Sequence, residues 1–190
     1  VIEGKGIGLA YFNTVFRVVF GTAATLLVTF SGAYAPAKRD LPGRSFITAV
    51  YLMTLFFGGG RVPTYFLVRS LGLINTRLVL ILLPAIQVIN VVIVRNFLMT
   101  IDQAMEDSAV MDGAGYWIVL FRIMVPLSKP VIAVIALWSA VGHWNSWFDA
   151  LIYTPRREFR VLQLVVRDLI TNESLNEQLR EFLENLQETN

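Results

Sequence analysis

Residues 106–126 read EDSAVMDGAGYWIVLFRIMVP, an acidic stretch rich in small residues that runs into an apolar one. The spacing predicts a helix over residues 102–111, which ends where Gly113 permits left-handed geometry. The apolar YWIVLFRIM is predicted to form a second helix lying on a membrane surface. Pro126 and Pro130 then redirect the chain. We therefore expect a rigid helix-turn-helix outside the hydrocarbon layer.

The composition on either side of this stretch is that of a membrane protein. Of 190 residues, 55% are hydrophobic and 16% are charged, whereas a soluble domain carries about 25% charged residues. A net charge of +2 without a basic block argues against nucleic acid as a partner. The chain has no cysteine, which excludes disulfides and thiolate metal sites. These features predict an all-α, polytopic bundle of transmembrane helices.

Several apolar stretches approach the roughly 20 residues that cross a bilayer. The glycines at 58–60, with Pro63 behind them, are expected to break one of these stretches at the membrane edge. The following residues, 64–77, are predicted to form a turn or short helix along the surface. We predict four spans, at 12–34, 46–57, 78–94 and 131–153.

Basic residues suggest how the spans are oriented. Lys38, Arg39 and Arg44 crowd one short turn, which favours a cytoplasmic position for that turn. Alternating spans then place the acidic helix on the same side. Arginines elsewhere fall on the other side, so this signal alone is weak. Arg17 and Arg95 are interpreted as anchors whose side chains reach opposite membrane interfaces.

The end of the chain is polar. Ser174 and Glu177 have the spacing of a capping box. They predict an amphipathic helix outside the bilayer, on its extracytoplasmic side. We accordingly divide the chain into a transmembrane domain, 1–170, and a polar amphipathic segment, 171–190.

The spacing inside the helix-turn-helix is highly specific. Asp107-Ser108-Ala109 is followed after three residues by Gly113, and after nine more by Ile123-Met124-Val125-Pro126. This resembles the cytoplasmic EAA loop of permease subunits in binding-protein-dependent ABC importers: E-A-A, three residues, glycine, nine residues, then I-x-L-P. Asp107, Ser108 and Val125 stand where that pattern has Glu, Ala and Leu. LPGRSF, PTYFLVRSLGLINTR, VRNF and GHWNSWFDALIY are similar to the carbohydrate, maltose-permease-like branch, and within it to the alginate and lipoprotein-associated oligosaccharide permeases.

The resemblance implies partners and a location. A loop at about residues 100–129 would dock on a separate ATP-binding cassette subunit. A second, different permease subunit would complete a heterodimer, and an extracytoplasmic solute-binding protein would deliver cargo to this multi-pass protein of the cytoplasmic (inner) membrane. Such permeases usually have six spans, so we expect this chain to lack the first and the last. The residues expected to couple to the ATPase are Asp107, Ser108, Ala109, Asp112, Gly113, Ala114 and Pro126.

The charge of the loop agrees with that docking role. Four acidic side chains stand against two basic ones between residues 102 and 129, and a net charge of −2 would complement a basic rim on a partner groove. Small side chains let a short helix sink into such a groove. The alternative, an ordinary capped cytoplasmic loop, gives no reason for the full spacing.

The function expected from the resemblance is ATP-driven import of a sugar or oligosaccharide. A peptide, amino acid or osmolyte is the alternative cargo, because those importers share the loop. The chain lacks a Walker A motif, and His143 is its single histidine. We therefore expect a subunit without catalytic residues, metal or cofactor, rather than an intramembrane enzyme. A scaffold protein would leave the loop spacing unexplained.

Polar side chains within spans are candidates for a cargo path, because such groups usually face a bundle interior or water. Spacings of four, three and four place Trp138, Gly142, Asn145 and Asp149 on one helical face. Aromatic rings beside amide and carboxylate groups suit the apolar faces and hydroxyl edges of a sugar. The open alternative is that these residues pack helices together. The candidate path residues are Gln87, Asn90, Trp138, Asn145 and Asp149.

Overall fold

The computed structural model describes the backbone of residues 4–188 and the side chains of residues 6–178 and 180. Every regular element within residues 4–188 is helical, which confirms the predicted class. A π-helical turn, Leu120–Met124, joins α7 to α8, and a 3-10 turn, Arg157–Phe159, precedes α11. The α-helices are α1 (Gly4–Ala37), α2 (Arg44–Phe56), α3 (Arg61–Ser70), α4 (Arg77–Ala85), α5 (Val88–Leu98), α6 (Gln103–Met111), α7 (Tyr116–Val119), α8 (Val125–Leu127), α9 (Lys129–Asn145), α10 (Phe148–Tyr153) and α11 (Leu162–Glu188).

Within the part of the chain that the structure describes, one helix is by itself long and apolar enough to cross a membrane, the Gly6–Ala37 part of α1. Three bent pairs raise the number of possible spans to four: α2 with α3 (112°), α4 with α5 (49°), and Tyr116–Leu127 with α9 (84°). The first bend falls at the triple glycine, as predicted. The second follows Pro84, which lies in the last turn of α4 and cannot donate a helical hydrogen bond.

The predicted span 131–153 is two helices rather than one. α9 ends at Asn145, and Ser146 is extended, with φ −79° and ψ 104°. The Ser146 hydroxyl donates to Asp149 Oδ2 at 2.8 Å. Such local side-chain bonds offer the backbone an alternative to the helix, and α10 begins only at Phe148.

The predicted capping box near the end of the chain is wrong. α11 begins at Leu162 and continues past residue 170 without a break. Ser174 lies inside it, and its hydroxyl donates to the carbonyl of Ile170 at 2.9 Å, the usual bond of a serine within a helix. The rest of the predicted amphipathic face lies outside the described side chains. The division of the chain at residue 170 stays a prediction.

α1 is the central helix and packs against α4, α5, α9 and α11. The bundle contains two buried apolar clusters. One joins the C-terminal part of α1 to α5, α9 and the helices of the 103–127 region. The other joins α3 and α4 to α10 and α11. The helix-turn-helix therefore sits at the C-terminal end of α1, remote from the end where α10 and α11 pack.

Candidate functional site

The helix α6 is delimited by its own sequence. Asp102 precedes it, and its carboxylate accepts a hydrogen bond from the Ala104 N–H at 3.0 Å, which caps the first turn. At the other end Gly113 has φ +84°, and the Ala114 N–H reaches back to the Ala109 carbonyl at 2.9 Å. This is the Schellman geometry that glycine adopts without strain. The predicted helix and its glycine stop are confirmed.

The seven residues predicted to couple to an ATPase do not all face outward. Ala109 and Ala114 are half-buried against the apolar cluster at the end of α1, so they seat the helix on the bundle. Pro126 is exposed after the π-helical turn. Met111, which the sequence reasoning missed, is 87% exposed. We define the α6 surface as the exposed residues Asp107, Ser108, Met111, Asp112 and Gly113.

Glu106 faces inward, contrary to its expected place in an acidic outer surface. It is 9% exposed, and its Oε1 accepts a hydrogen bond from the Tyr34 hydroxyl at 2.8 Å. The same oxygen pairs with the Lys38 ammonium group. The acidic charge left on the outside of α6 and its two caps therefore comes from Asp102, Asp107 and Asp112.

The basic turn and the acidic helix share one end of the bundle. Gln103 of α6 donates to the carboxylate of Asp40 at 3.3 Å. A cleft of about 550 Å³ separates the two segments, with Lys38 and Arg39 on one wall and Asp102 and Asp107 among the residues on the other. This arrangement agrees with the predicted placement of both segments on one side of the membrane.

Arg95 caps a helix instead of serving as a simple snorkelling anchor. Its Nε donates to the carbonyl of Pro36 at 3.1 Å, and Arg44 Nε donates to the same oxygen at 3.1 Å. This carbonyl lies in the last turn of α1, where helical partners run out. Two cations there also suit the negative end of the helix dipole.

The interpretation of Arg17 as an anchor is wrong. Arg17 is 1% exposed, and its guanidinium group donates to three acceptors: the Leu80 carbonyl at 3.2 Å, the Ser146 carbonyl at 2.6 Å and Asp149 Oδ2 at 3.2 Å. The Leu80 carbonyl has no helical donor because Pro84 stands four residues on. The Ser146 carbonyl lies at the break between α9 and α10. Arg17 thus satisfies backbone groups at two helix interruptions.

The predicted path residues between positions 138 and 149 do not all lie on one helical face. Trp138, Gly142 and Asn145 are exposed on α9 and share a face as expected. Asp149 does not continue that face, because the helix breaks at Ser146. Its carboxylate is held by Arg17 and by the Ser146 hydroxyl, so it contributes to internal packing.

The second pair of predicted path residues also differ in exposure. Gln87 precedes α5 and is exposed, whereas Asn90 is 2% exposed. The Asn90 amide donates to Gln87 Oε1 at 3.4 Å. Only Gln87 can therefore meet a solute without rearrangement. Among the described residues, no group of three His, Cys, Asp or Glu side chains is placed to hold a metal ion.

The contact between α1 and α9 contains a close approach that the sequence did not reveal. His143 is 4% exposed, and a Cβ added to Gly21 would overlap its imidazole ring. The imidazole ring of His143 therefore occupies the space that a side chain at position 21 would need. Small residues at helix contacts of this kind let membrane helices pack closely.

The fold and the α6 loop define a class of protein. The chain belongs to the family of binding-protein-dependent transport system inner membrane components, whose model matches residues 41–152. The resemblance found in the sequence is confirmed.

Two curated proteins are similar to most of this chain. The protein LplC of Bacillus subtilis is 43% identical over 156 residues, which cover 82% of this chain and 53% of that protein. The polygalacturonan/rhamnogalacturonan transport system permease protein YtcP of the same species is 36% identical, over 83% of this chain and 55% of that protein. The chain spans about half the length of these curated relatives.

A solved structure shares the architecture. It is a bacterial ABC transporter involved in the import of the acidic polysaccharide alginate. One of its chains superimposes on 96% of this chain with a TM-score of 0.85 and 32% sequence identity, and 65% of that chain is covered.

Proposed function

We propose that this chain forms the core of a membrane-spanning permease subunit in a binding-protein-dependent importer. The importer moves a sugar or oligosaccharide across the cytoplasmic membrane, using ATP hydrolysed by a separate subunit. The observation that carries the proposal is the α6 surface, a short exposed helix fixed at one end of a transmembrane bundle and ended by Gly113 at φ +84°.

The chemistry of the α6 surface suits docking into a groove. Ser108 is small and exposed, and Met111 offers a flexible apolar side chain of the kind that adapts to a partner surface. Asp107 and Asp112 flank them with negative charge. A basic rim around an apolar groove on the ATPase subunit would complement this pattern and steer the encounter.

Two observations support a saccharide as the cargo. YtcP and the alginate importer are named for polysaccharide transport. On α9, an exposed tryptophan, Trp138, lies two turns from the exposed amide of Asn145, a combination that can stack on a sugar ring and hydrogen-bond its hydroxyl groups. Importers of peptides, amino acids and osmolytes share the loop, but no described residue of this chain favours those solutes as cargo.

The end of the bundle remote from α6 favours an anionic sugar. Two carboxylates there are already paired, Asp149 with Arg17 and Asp168 with Arg160. Other arginines are held over aromatic rings without a carboxylate partner among the described side chains. Guanidinium groups bind carboxylates strongly and with two parallel hydrogen bonds. These arginines are Arg61 over Phe148, Arg77 near Phe12, Phe16 and Phe159, and Arg167 over Trp147.

The proposal is tested by reconstituting the full-length permease with its ATPase, its second permease and its binding protein in liposomes. We expect uptake of labelled uronic-acid oligosaccharides that requires hydrolysable ATP on the ATPase side. Uptake of neutral oligosaccharides alone would contradict the proposed cargo charge. ATP-dependent uptake of a peptide or betaine but of no saccharide would contradict the proposed cargo class.

A further inference from the structure

A buried polar cluster joins α6 to the end of α1. Glu106 of α6 accepts the Tyr34 hydroxyl at 2.8 Å and pairs with the Lys38 ammonium group through the same oxygen. The side chains of Lys38 and Glu106 line the cleft and are 24% and 12% exposed, so the pair is partly shielded from water. An ion pair so shielded is stronger than one on an open surface.

Lys38 contacts a third element as well. Its Nζ lies 4.4 Å from the ring centroid of Tyr116, the first residue of α7, and 4.7 Å from that of Tyr34. Cations over aromatic faces are attracted by the ring quadrupole. One ammonium group therefore holds together the end of α1 and both helices that flank the Gly113 turn.

The remaining links between α6 and the bundle are weaker in kind. Ala109 and Ala114 make small apolar contacts with the cluster at the end of α1. The hydrogen bond from Gln103 to Asp40 is exposed and 3.3 Å long. α6 itself packs chiefly against α7, its neighbour along the chain. A force applied to the α6 surface would reach α1 mainly through the buried polar cluster.

We propose that Tyr34, Lys38 and Glu106 are positioning residues that clamp α6 to α1, so that the two helices move as one body. The inference rests on the proposed function, in which the ATPase moves α6. Because α1 packs against α4, α5, α9 and α11, a displacement of its C-terminal end moves the helices around it as well. The clamp therefore sets how much of the ATPase movement becomes transport.

The clamp is tested in the complete importer in liposomes, by the number of cargo molecules transported per ATP hydrolysed. Glu106→Gln keeps the size of the side chain and can still accept from Tyr34, but it removes the charge that Lys38 pairs with. We expect this ratio to fall by at least about fivefold, the lower end of ordinary coupling between two sites, while the ATPase still copurifies. Gln103→Ala, which removes the exposed link between the same segments, should leave the ratio unchanged.

A charge exchange separates positioning from simple loss of folding. Glu106→Lys combined with Lys38→Glu restores an ion pair across the same gap, and we expect it to recover part of the lost ratio. An unchanged ratio in Glu106→Gln would overturn the clamp. Loss of ATPase binding in Glu106→Gln, with normal binding in Gln103→Ala, would also overturn it by showing that Glu106 acts at the docking interface.

A distance measurement tests the clamp even if the proposed transport activity is wrong. This chain has no cysteine, so once any cysteine elsewhere in the full-length permease is replaced, spin labels can be attached to cysteines introduced at the exposed positions Ala35 and Asp107. The clamp predicts a narrow distance distribution that broadens in Glu106→Gln and stays narrow in Gln103→Ala. Equally narrow distributions in all three proteins would refute it. Absence of ATP-driven uptake in the unsubstituted importer would instead count against the proposed function alone.

Discussion

Replacing Arg17 with methionine is the sharpest perturbation of the bundle. Methionine keeps most of the length of the side chain and its apolar stem, but it removes every donor. The substitution leaves the carboxylate of Asp149 and the carbonyls of Leu80 and Ser146 without the bonds that Arg17 supplies. If Arg17 were only a snorkelling anchor, the change would matter little.

The expected loss in the free energy of unfolding follows from the polar groups that the substitution leaves unpaired. Removing one member of a buried ion pair costs about 3–5 kcal/mol. The side chain of Asp149 is 30% exposed, and water can replace part of the interaction, so the lower value of about 3 kcal/mol applies. For a chain of this size, each kcal/mol lowers the melting temperature by roughly 2–4 °C. Because the shift per kcal/mol falls as the chain lengthens, the lower end applies to the longer full-length permease, and we expect Arg17→Met to melt roughly 6 °C below the unsubstituted protein.

The assay is thermal unfolding of the purified full-length permease in detergent, followed by tryptophan fluorescence. Arg69→Met is the matched control, because Arg69 is exposed at the end of α3 and such changes stay within about 0.5 kcal/mol. Asp149→Asn should cost less than Arg17→Met, because Arg17 keeps its two carbonyl acceptors. Arg17→Met melting together with Arg69→Met would refute the account of Arg17 as an internal link.

Two glycine substitutions test other parts of the structure. Gly21→Val should destabilise the permease by about 1–3 kcal/mol through overpacking against His143, and adding His143→Ala should recover much of the loss; a melting temperature for Gly21→Val equal to that of the unsubstituted protein would show that the two helices are not closely packed there. Gly113→Val should lower ATP-driven uptake without reducing the amount of permease in the membrane, because φ +84° strains a β-branched residue. Gly8→Val, at an exposed glycine of α1 with open space around it and no positive φ, is the control, and equal uptake by both variants would contradict the role of the Gly113 turn.

Local features of the fold could be predicted from the sequence because their causes are local. Gly113 ends α6 through its own backbone freedom, and the triple glycine at 58–60 separates α2 from α3. The all-helical class follows from apolar stretches of spanning length. The outward position of Asp107 and Asp112 likewise follows from charge near a membrane surface.

Features that depend on distant residues were missed. Arg17 and Asp149 are 132 positions apart, and no periodicity connects them. The same is true of Tyr34 and Glu106, which are 72 positions apart and turn an acidic side chain inward. The break after Asn145 was also missed, since it depends on how Ser146 and its carbonyl are bonded in three dimensions.

The central claim is that the α6 surface is where the ATPase subunit docks. The most direct measurement is photo-cross-linking in the assembled importer, with p-benzoylphenylalanine replacing Ser108 or Asp112, and with the same group at Phe57, which is exposed at the far end of α2, as the control. The account predicts a covalent adduct with the ATPase subunit from positions 108 and 112 and none from position 57. An ATPase adduct from position 57, with none from 108 or 112, would contradict it.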